Sequence, residues 1–224
     1  MVLPPPPKPI SNLAIGDIVK VKESGADVDY IIVQQGNPDA TMYDASCDGT
    51  WLLRKTIKQN TAWNTTNSNN YATSTVNSST LNTDILNSLN IKDIVSTVKI
   101  PLYMSGSVQT GSSGYETKVF LLSSEEVGCT NVGSVPHEGA VLSYFSGTNS
   151  SGRDDKRIFL LNSSANMWWT RTLVRSGTSA ACLISVIGAP TTDGYSVKES
   201  QGVLPAFIIP SDTLIDSSGN IVLE

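Results

Sequence analysis

Two adjacent tryptophans followed by a threonine and an arginine, Trp168 to Arg171, constrain this chain more than any other stretch. The chain has only four tryptophans, and successive side chains of a β-strand point to opposite faces of a sheet. A strand here would place one indole on each face, so at least one ring belongs in a core. The apolar run 202–210, Gly-Val-Leu-Pro-Ala-Phe-Ile-Ile-Pro, is predicted to be its partner.

The rest of the composition favours many turns and short strands. Charged residues make up 16% of the chain, well below the usual ~25%, and Ser, Thr, Asn and Gly take their place. Ser, Thr and Asn side chains compete for backbone hydrogen bonds and therefore favour turns and caps over long helices. A net charge of −5 argues against a nucleic-acid partner, because tracking phosphates requires clustered Lys and Arg.

Apolar patterning predicts strands along most of the chain and one clear helix. A hairpin is expected from residues 17–22 and 28–34, with a turn that contains Gly25. Leu81, Ile85 and Leu89 recur at helical spacing behind a hydroxyl cap at Ser79 or Thr80. Shorter helical signals occur at 91–98, 123–127 and 140–145, and further strands are expected at 51–54, 98–103, 118–122, 167–172, 180–187 and 203–209. This mixture predicts the α+β class.

The chain divides into a proline-rich N-terminal arm, residues 1–9, and a single domain, residues 10–224. The arm has almost no backbone donors and prefers an extended polyproline conformation. It is either a disordered terminus or a stiff segment that docks on a larger assembly. No apolar run approaches the ~20 residues of a membrane helix, and no basic-plus-apolar leader is visible. We therefore expect a soluble protein without membrane insertion or a secretion signal.

Patterns typical of catalysis, cofactors or metals are missing from the sequence. His137 is the only histidine, and its turn-like setting favours an exposed loop residue over an acid/base group. Cys47, Cys129 and Cys182 are far apart and lack metal-ligand spacing, so buried reduced thiols are expected. Calcium is not selected by any pattern. The sequence therefore predicts a protein that is not an enzyme, with no cofactor and no metal site.

Five segments together resemble an uncharacterised domain family that is widespread in tailed phages and prophages of Gram-positive bacteria. They are 47–54 (CDGTWLLR), 98–101 (VKIP), 118–123 (KVFLLS), 168–171 (WWTR) and 202–207 (GVLPAF). The last two are also similar to the C-type-lectin-like fold of formylglycine-generating enzymes and of phage tail proteins diversified by retroelements. The resemblance covers residue 10 to the C-terminus, and it implies a twisted antiparallel sheet, one or two helices and long irregular loops.

The resemblance also implies a function. A phage virion protein is expected, displayed on tail, baseplate or head, with loops that bind a host-surface glycan or protein. The alternative is a purely structural decoration or cement protein of capsid or tail. Expected partners are other virion proteins, contacted through the N-terminal arm, and analogy with virion fibres favours a homotrimer. Fold analogy alone is a weak warrant for function, because function resides in the site.

The residues singled out for ligand contact are aromatic or cationic. Trp63 and Tyr71 lie in the Asn-rich stretch, residues 60–79, and are the expected surface residues, followed by Trp169 and Arg171. The expected structural signature consists of Trp51, Trp168, Gly202, Pro205 and Phe207. The chain departs from the family pattern at Thr170, where relatives carry Leu, and at Leu204, where they carry Arg. These departures predict that a buried, arginine-centred ion pair is absent or rewired.

Overall fold

The structure, a computed structural model, describes residues 5–133, 135–175, 179–191 and 193–223. Its main elements are short strands. They are β1 (Lys8–Pro9), β2 (Ile18–Glu23), β3 (Ala26–Gln35), β4 (Thr50–Arg54), β5 (Gln59–Ala62), β6 (Val98–Ile100), β7 (Leu102–Met104), β8 (Ser107–Gln109), β9 (Tyr115–Thr117), β10 (Val119–Phe120), β11 (Leu160–Leu161), β12 (Ser164–Ala165), β13 (Trp168–Leu173), β14 (Ala180–Ile184), β15 (Tyr195–Ser196), β16 (Ser200–Val203), β17 (Ala206–Ile209) and β18 (Leu214–Ile215).

One longer helical segment interrupts the strands, close to where apolar spacing predicts a helix. It begins as a π-helix, Val76–Ile85, and continues as a short α-helix, Leu86–Ser88. Asn82 Nδ2 donates to the carbonyl of Asn77 at 3.0 Å, five residues earlier, which suits the wide π turn. Single 3-10 turns form at Ile10–Asn12, Ala45–Cys47, Tyr71–Thr73, Ser143–Phe145 and Asp155–Arg157. Within the described residues, no helix has the length and apolarity to span a membrane.

The expected α+β, C-type-lectin-like fold is wrong. About 35% of the chain is strand and 14% is helix, in open sheets, which makes this a β-rich fold with little helix. The helical signals at 91–98 and 123–127 produce only turns, and the one at 140–145 produces a single 3-10 turn. Each segment is too short for its helical hydrogen bonds to offset the free energy of helix nucleation. Its apolar side chains pack against neighbouring strands instead.

Two five-stranded sheets form the body of the domain. The first has the order β10-β17-β4-β3-β2 with every pair antiparallel. The second has the order β15-β14-β13-β16-β5, in which β13 and β16 are parallel and the other pairs are antiparallel. The predicted pairing of the tryptophan strand with the run 202–210 is confirmed for the first part of that run, where Trp168 pairs with Gly202.

The run 202–210 is two strands rather than one, because the chain changes sheets within it. β16 belongs to the second sheet and β17 to the first, and Leu204 and Pro205 connect them. Proline has no backbone N–H to offer a ladder, so it suits a point at which pairing is broken. Its carbonyl remains useful and accepts a hydrogen bond from the Arg54 N–H at 3.0 Å.

The predicted hairpin is confirmed as β2 and β3. Its two-residue turn consists of Ser24 and Gly25, with φ angles of +48° and +88°. Positive φ at both central positions is the turn geometry that matches the twist of paired strands. At the N-terminus, Lys8 and Pro9 pair with Ile215 and Leu214, so the end of the predicted arm joins a two-stranded ribbon. Residues 1–4 of that arm lie outside the described residues.

Apolar side chains form two core clusters. Trp169 belongs to one cluster, and Trp168 to the other. The expectation that the paired tryptophans point to opposite faces is therefore confirmed, and both rings are buried. Phe207 and Ile208 on β17 divide between the clusters in the same way. Burial on both faces explains why β17 is a continuous apolar run rather than an alternating pattern.

Candidate functional site

A network of buried polar side chains lies around Arg171 in the middle of β13. Glu126 joins it from the turn that follows β10 and Tyr43 from the loop after β3. Glu138, in the segment before the 3-10 turn at 143–145, contacts Arg171 through its backbone carbonyl. All four side chains are buried, with exposed fractions of 1% or less. Buried charges are costly unless they are paired and hydrogen-bonded, so each partner matters.

Arg171 and Glu126 form a bidentate ion pair. Arg171 Nη1 lies 2.6 Å from Glu126 Oε2, and Nη2 lies 2.7 Å from Oε1. The guanidinium also donates to the backbone carbonyls of Pro101, Leu121 and Glu138, at 3.2, 3.0 and 2.9 Å. Five hydrogen bonds match the five N–H groups of an arginine side chain. The cation is therefore fully satisfied without water.

Glu126 is held by its own turn as well as by the arginine. Its backbone N–H donates to Ser123 Oγ at 3.0 Å, and its Oε2 accepts from the Ser123 N–H at 2.8 Å. This reciprocal pair is a capping box of the Ser-x-x-Glu type. The Tyr43 hydroxyl donates to Glu126 Oε1 at 2.8 Å. Burial, reinforced by the charge of Glu126, raises the pKa of Tyr43 well above its usual value.

The charged state of Arg171 is secure despite its burial. Burial by itself lowers the pKa of a guanidinium, but the adjacent carboxylate of Glu126 outweighs that effect and leaves the pKa above its usual value. The pair therefore acts as a fixed dipole that clamps β13 to the turn after β10. Breaking such a pair by removing one partner is strongly destabilising, because the other charge is left buried.

Glu138 is the least satisfied member of the network. Its Oε1 accepts from the Tyr103 N–H at 2.7 Å, whereas Oε2 has no partner of hydrogen-bond geometry among the described residues. Burial raises the pKa of Glu138 to about 7, against the opposing effects of Arg171, the Tyr103 N–H and the Thr172 side chain. This carboxyl group therefore titrates near neutral pH inside the protein.

The principal surface grooves formed by the described residues are lined by side chains other than Arg171, Glu126, Tyr43 and Glu138. In this conformation the buried charges connect chain segments that are far apart in sequence. Their observable role is to hold β13 against the loops on either side of it.

Arg157 is a second buried arginine, with a different set of partners. It donates to the carbonyls of Gly188, Val127, Asn149 and Gly152 at 2.7, 3.2, 2.8 and 2.7 Å. Among the described residues it forms no ion pair. It thus ties together three loops through their backbones. Nothing in the local sequence distinguishes Arg157 from an exposed arginine, and sequence reasoning missed it.

The four residues expected to contact a ligand are all buried. Trp63 Nε1 donates to the Thr170 carbonyl at 3.0 Å, and Trp169 Nε1 donates to the Thr61 carbonyl at 3.0 Å. The Tyr71 hydroxyl accepts from the Leu121 N–H at 2.9 Å. Arg171 is buried in the ion pair with Glu126. The expectation that these four side chains lie at the surface is therefore wrong, and they instead anchor the Asn-rich stretch and β13 to the core.

The expected structural signature lies at junctions between strands. Trp51 Nε1 donates to the Cys47 carbonyl and Trp168 Nε1 to the Arg157 carbonyl, at 3.1 and 3.0 Å. A Cβ on Gly202 would lie 2.6 Å from the Met167 carbonyl oxygen, so the close approach there requires glycine. Phe207 packs on Tyr30 with ring centroids 5.0 Å apart, and Pro205 marks the change of sheet.

The expectation that a buried, arginine-centred ion pair is absent is wrong, because Arg171 and Glu126 form one. The alternative expectation, that the pair is rewired relative to related proteins, stays a prediction. Thr170 donates its hydroxyl to the Cys182 carbonyl at 3.0 Å, and Leu204 is buried in a core cluster. The Ser-x-x-Glu spacing of the capping box was the available signal for Glu126. Its pairing with Arg171, 45 residues away, had none.

The candidate groups for catalysis or metal binding that the sequence analysis named are His137 and the three cysteines. His137 is exposed, and its Nδ1 lies 2.7 Å from Glu125 Oε2. The three cysteines are free and buried, as expected. Burial raises the thiol pKa values to about 12 for Cys47, about 11 for Cys129 and about 12 for Cys182. The described residues contain no group of three or more His, Cys, Asp or Glu side chains placed to hold a metal ion.

A surface groove with a mixed polar and apolar lining lies beside the buried network. Residues 67–70, residues 103–105 and Leu173 line a volume of about 240 Å³. The groove therefore brings together the Asn-rich stretch, the β7–β8 hairpin and the end of β13. Arg175 lies next to it, with Cζ 5.3 Å from the ring centroid of Tyr103. The arrangement offers amides, an aromatic ring and a cation at one place on the surface.

A comparison with known families places these features in context. Residues 48–211, well over half of the chain, match the family described as "Domain of unknown function (DUF6273)". The chain belongs to this family. The matched range runs from the residue before Gly49 to just beyond β17, and it contains Arg171, Glu126 and the groove residues. No curated protein and no solved structure matches the chain.

Proposed function

We propose that this DUF6273 protein is a virion component of a phage or prophage of Gram-positive bacteria. Its role is non-enzymatic binding of a host-surface glycan or protein by the loops around the groove at residues 67–70 and 103–105. The proposal includes display on tail, baseplate or head and assembly as a homo-oligomer, with a trimer as the expected form. It rests on the sequence resemblance described above and on the groove.

The observation that carries the binding role is the convergence of the Asn-rich stretch, the β7–β8 hairpin and the end of β13 at one groove. Asparagine, serine, tyrosine and arginine are the residue types enriched in adaptable binding surfaces, because they combine hydrogen bonding with large aromatic contact area. Here Asn67, Ser68, Tyr103 and Ser105 line the groove and Arg175 lies beside it. The buried network beneath supplies the rigid support that a binding site on loops needs.

The direct test is binding of the purified protein to cells. The fluorescently labelled protein is incubated with a panel of Gram-positive strains, and bound protein is measured before and after protease treatment of the cells. Saturable binding that survives protease treatment indicates a glycan receptor, and protease-sensitive binding indicates a protein receptor. Absence of saturable binding to every strain, for the protein in its native oligomeric form, would contradict the receptor role.

A structural role as a capsid or tail decoration protein is the second proposal. The observation that favours it is a groove of about 540 Å³ beside the ribbon of β1 and β18, lined in part by Pro5, Pro6 and Lys8. A neighbouring subunit contacting this region would bind the arm and the groove together. Deleting residues 1–7 leaves the β1 pairing in place and tests this role, since a decoration protein should then lose incorporation into virions while its cell binding is unchanged.

A further inference from the structure

Arg175 is an exposed cation that forms no ion pair with the described residues. It follows β13 by two residues and packs its guanidinium over the ring of Tyr103. Among the described residues it has no carboxylate partner, whereas the comparably exposed Arg153 pairs with Asp155 at 3.1 Å. A guanidinium that stacks on an aromatic ring keeps its N–H edge available for an anion.

The backbone of Tyr103 is fixed by a hydrogen bond to Glu138 and by strand pairing. Its N–H donates to the buried carboxyl of Glu138 at 2.7 Å, and β7 pairs it with Val108 in β8. Its hydroxyl has no hydrogen-bond partner within the described chain segments. The ring is therefore positioned by the core and still carries a free donor and acceptor at the groove.

The Asn-rich side of the groove is also anchored. Asn69 Nδ2 donates to the carbonyls of Val174 and Ala180, at 3.2 and 3.0 Å, which ties the stretch to the residue after β13 and to the first residue of β14. Asn67 is exposed, and its side-chain amide forms no hydrogen bond with other described residues. Asn70 uses Oδ1 to cap the Ala72 N–H at 3.1 Å. The amides of Asn67 and Asn70 thus supply donors to the groove.

The lining contains no aspartate or glutamate, although the whole chain carries a net charge of −5. The volume of about 240 Å³ is below the ~300–1,000 Å³ of pockets for drug-sized ligands, so the groove suits a single ring-sized unit. Amide donors and a phenol hydroxyl suit the hydroxyls of a sugar, and a guanidinium edge suits a carboxylate or phosphate. Uncharged and cationic ligands leave Arg175 without a partner.

We propose that the groove lined by Asn67, Asn70 and Tyr103, with Arg175 beside it, binds a saccharide unit that carries an anionic group, a carboxylate or a phosphate. This inference rests on the proposed binding function and specifies its ligand chemistry. The amides and the Tyr103 hydroxyl bind the sugar hydroxyls. Arg175 binds the anion through two parallel N–H donors.

The test uses the full chain on an array of defined saccharides that are neutral, carboxylated or phosphorylated. We expect binding to be confined to the anionic members, and the carboxylated and phosphorylated arms identify the source of the charge. The variant Arg175→Gln should weaken that binding about 10- to 100-fold, as expected for loss of charge-assisted hydrogen bonds. Arg175→Lys should restore part of the lost binding, because lysine carries the positive charge but lacks the planar guanidinium that donates two parallel hydrogen bonds. Arg153→Gln, which removes an exposed arginine elsewhere, is the matched control.

Three outcomes would overturn this inference: equal binding by Arg175→Gln and the parent, preference for neutral saccharides, or no binding to any anionic saccharide. Binding of the same variants to cells distinguishes this inference about the ligand site from the proposed function of binding a host surface. If the parent binds cells and Arg175→Gln binds equally well, the binding function stands and this site is wrong. If the parent binds no cells, the broader proposal fails by itself.

Discussion

Arg171 on β13 and Glu126 in the turn after β10 face each other through two hydrogen bonds of 2.6 and 2.7 Å, with neither side chain exposed. The pair joins the tryptophan strand to a turn 45 residues earlier in the chain. Both charged groups are removed from water, so each stabilises the folded protein only while it is paired with the other.

Replacing Glu126 by glutamine should therefore destabilise the protein strongly. The substitution keeps the shape of the side chain but leaves the Arg171 cation buried without a counter-charge, which costs about 3–5 kcal/mol in comparable pairs. Chemical denaturation measures the change in free energy of unfolding. Glu116→Gln, at an exposed position on β9, is the control and should change stability by less than about 0.5 kcal/mol. Equal stability of the two variants would show that the ion pair does not clamp the fold.

Glu138 should make stability fall as the pH rises toward neutral. Its pKa in the folded protein is about 7, above the ordinary value of 4.5, so the folded state binds its proton more tightly than the unfolded state. The stabilising contribution is complete below pH 4.5 and is lost as the pH rises through 7, by up to about 3 kcal/mol.

The measurement for Glu138 is a comparison with Glu138→Gln at several pH values. Glu23, whose pKa is lowered by Arg54, Lys58 and Tyr30 against the effect of burial, contributes in the opposite direction. The difference in unfolding free energy between the parent and the variant removes that background. We expect the variant to gain stability relative to the parent between pH 4.5 and 7. A difference that does not vary with pH would rule out titration of Glu138 in this range.

Gly202 should not tolerate even an added methyl group. A Cβ there would lie 2.6 Å from the Met167 carbonyl oxygen and 2.9 Å from Ile57 Cγ2, and backbone cannot move aside as a flexible side chain can. Gly202→Ala should lower the unfolding free energy by about 1–3 kcal/mol, as overpacking does. Gly133→Ala, where a Cβ meets nothing within 4 Å, should be close to neutral. Thermal unfolding of both variants checks the contrast.

The cysteines should be unreactive in the folded protein. All three thiols are buried, and their pKa values are raised to about 11 or 12, so little thiolate forms at pH 8. Ellman's reagent should therefore label none of them in native protein and all three after denaturation. Rapid labelling of one thiol under native conditions would mean that its surroundings open readily.

Several features could be predicted from local patterns because neighbouring residues decide them. The β2–β3 hairpin follows from apolar alternation and a glycine turn. The opposite orientation of Trp168 and Trp169 follows from the two-residue period of a strand. The position of the helical segment follows from Leu81, Ile85 and Leu89, although the apolar spacing does not reveal its π geometry.

The sequence by itself determined that the chain is rich in strands and turns, that its surface is polar with little charge, and that the tryptophan strand belongs to a core. Those properties arise from composition and short-range pattern. Only the tertiary structure decided that Trp63, Tyr71 and Trp169 are buried anchors, that Arg171 meets Glu126, and that a groove forms at Tyr103. The physical reason is that burial and ion pairing depend on contacts between residues tens of positions apart, which local periodicity does not encode.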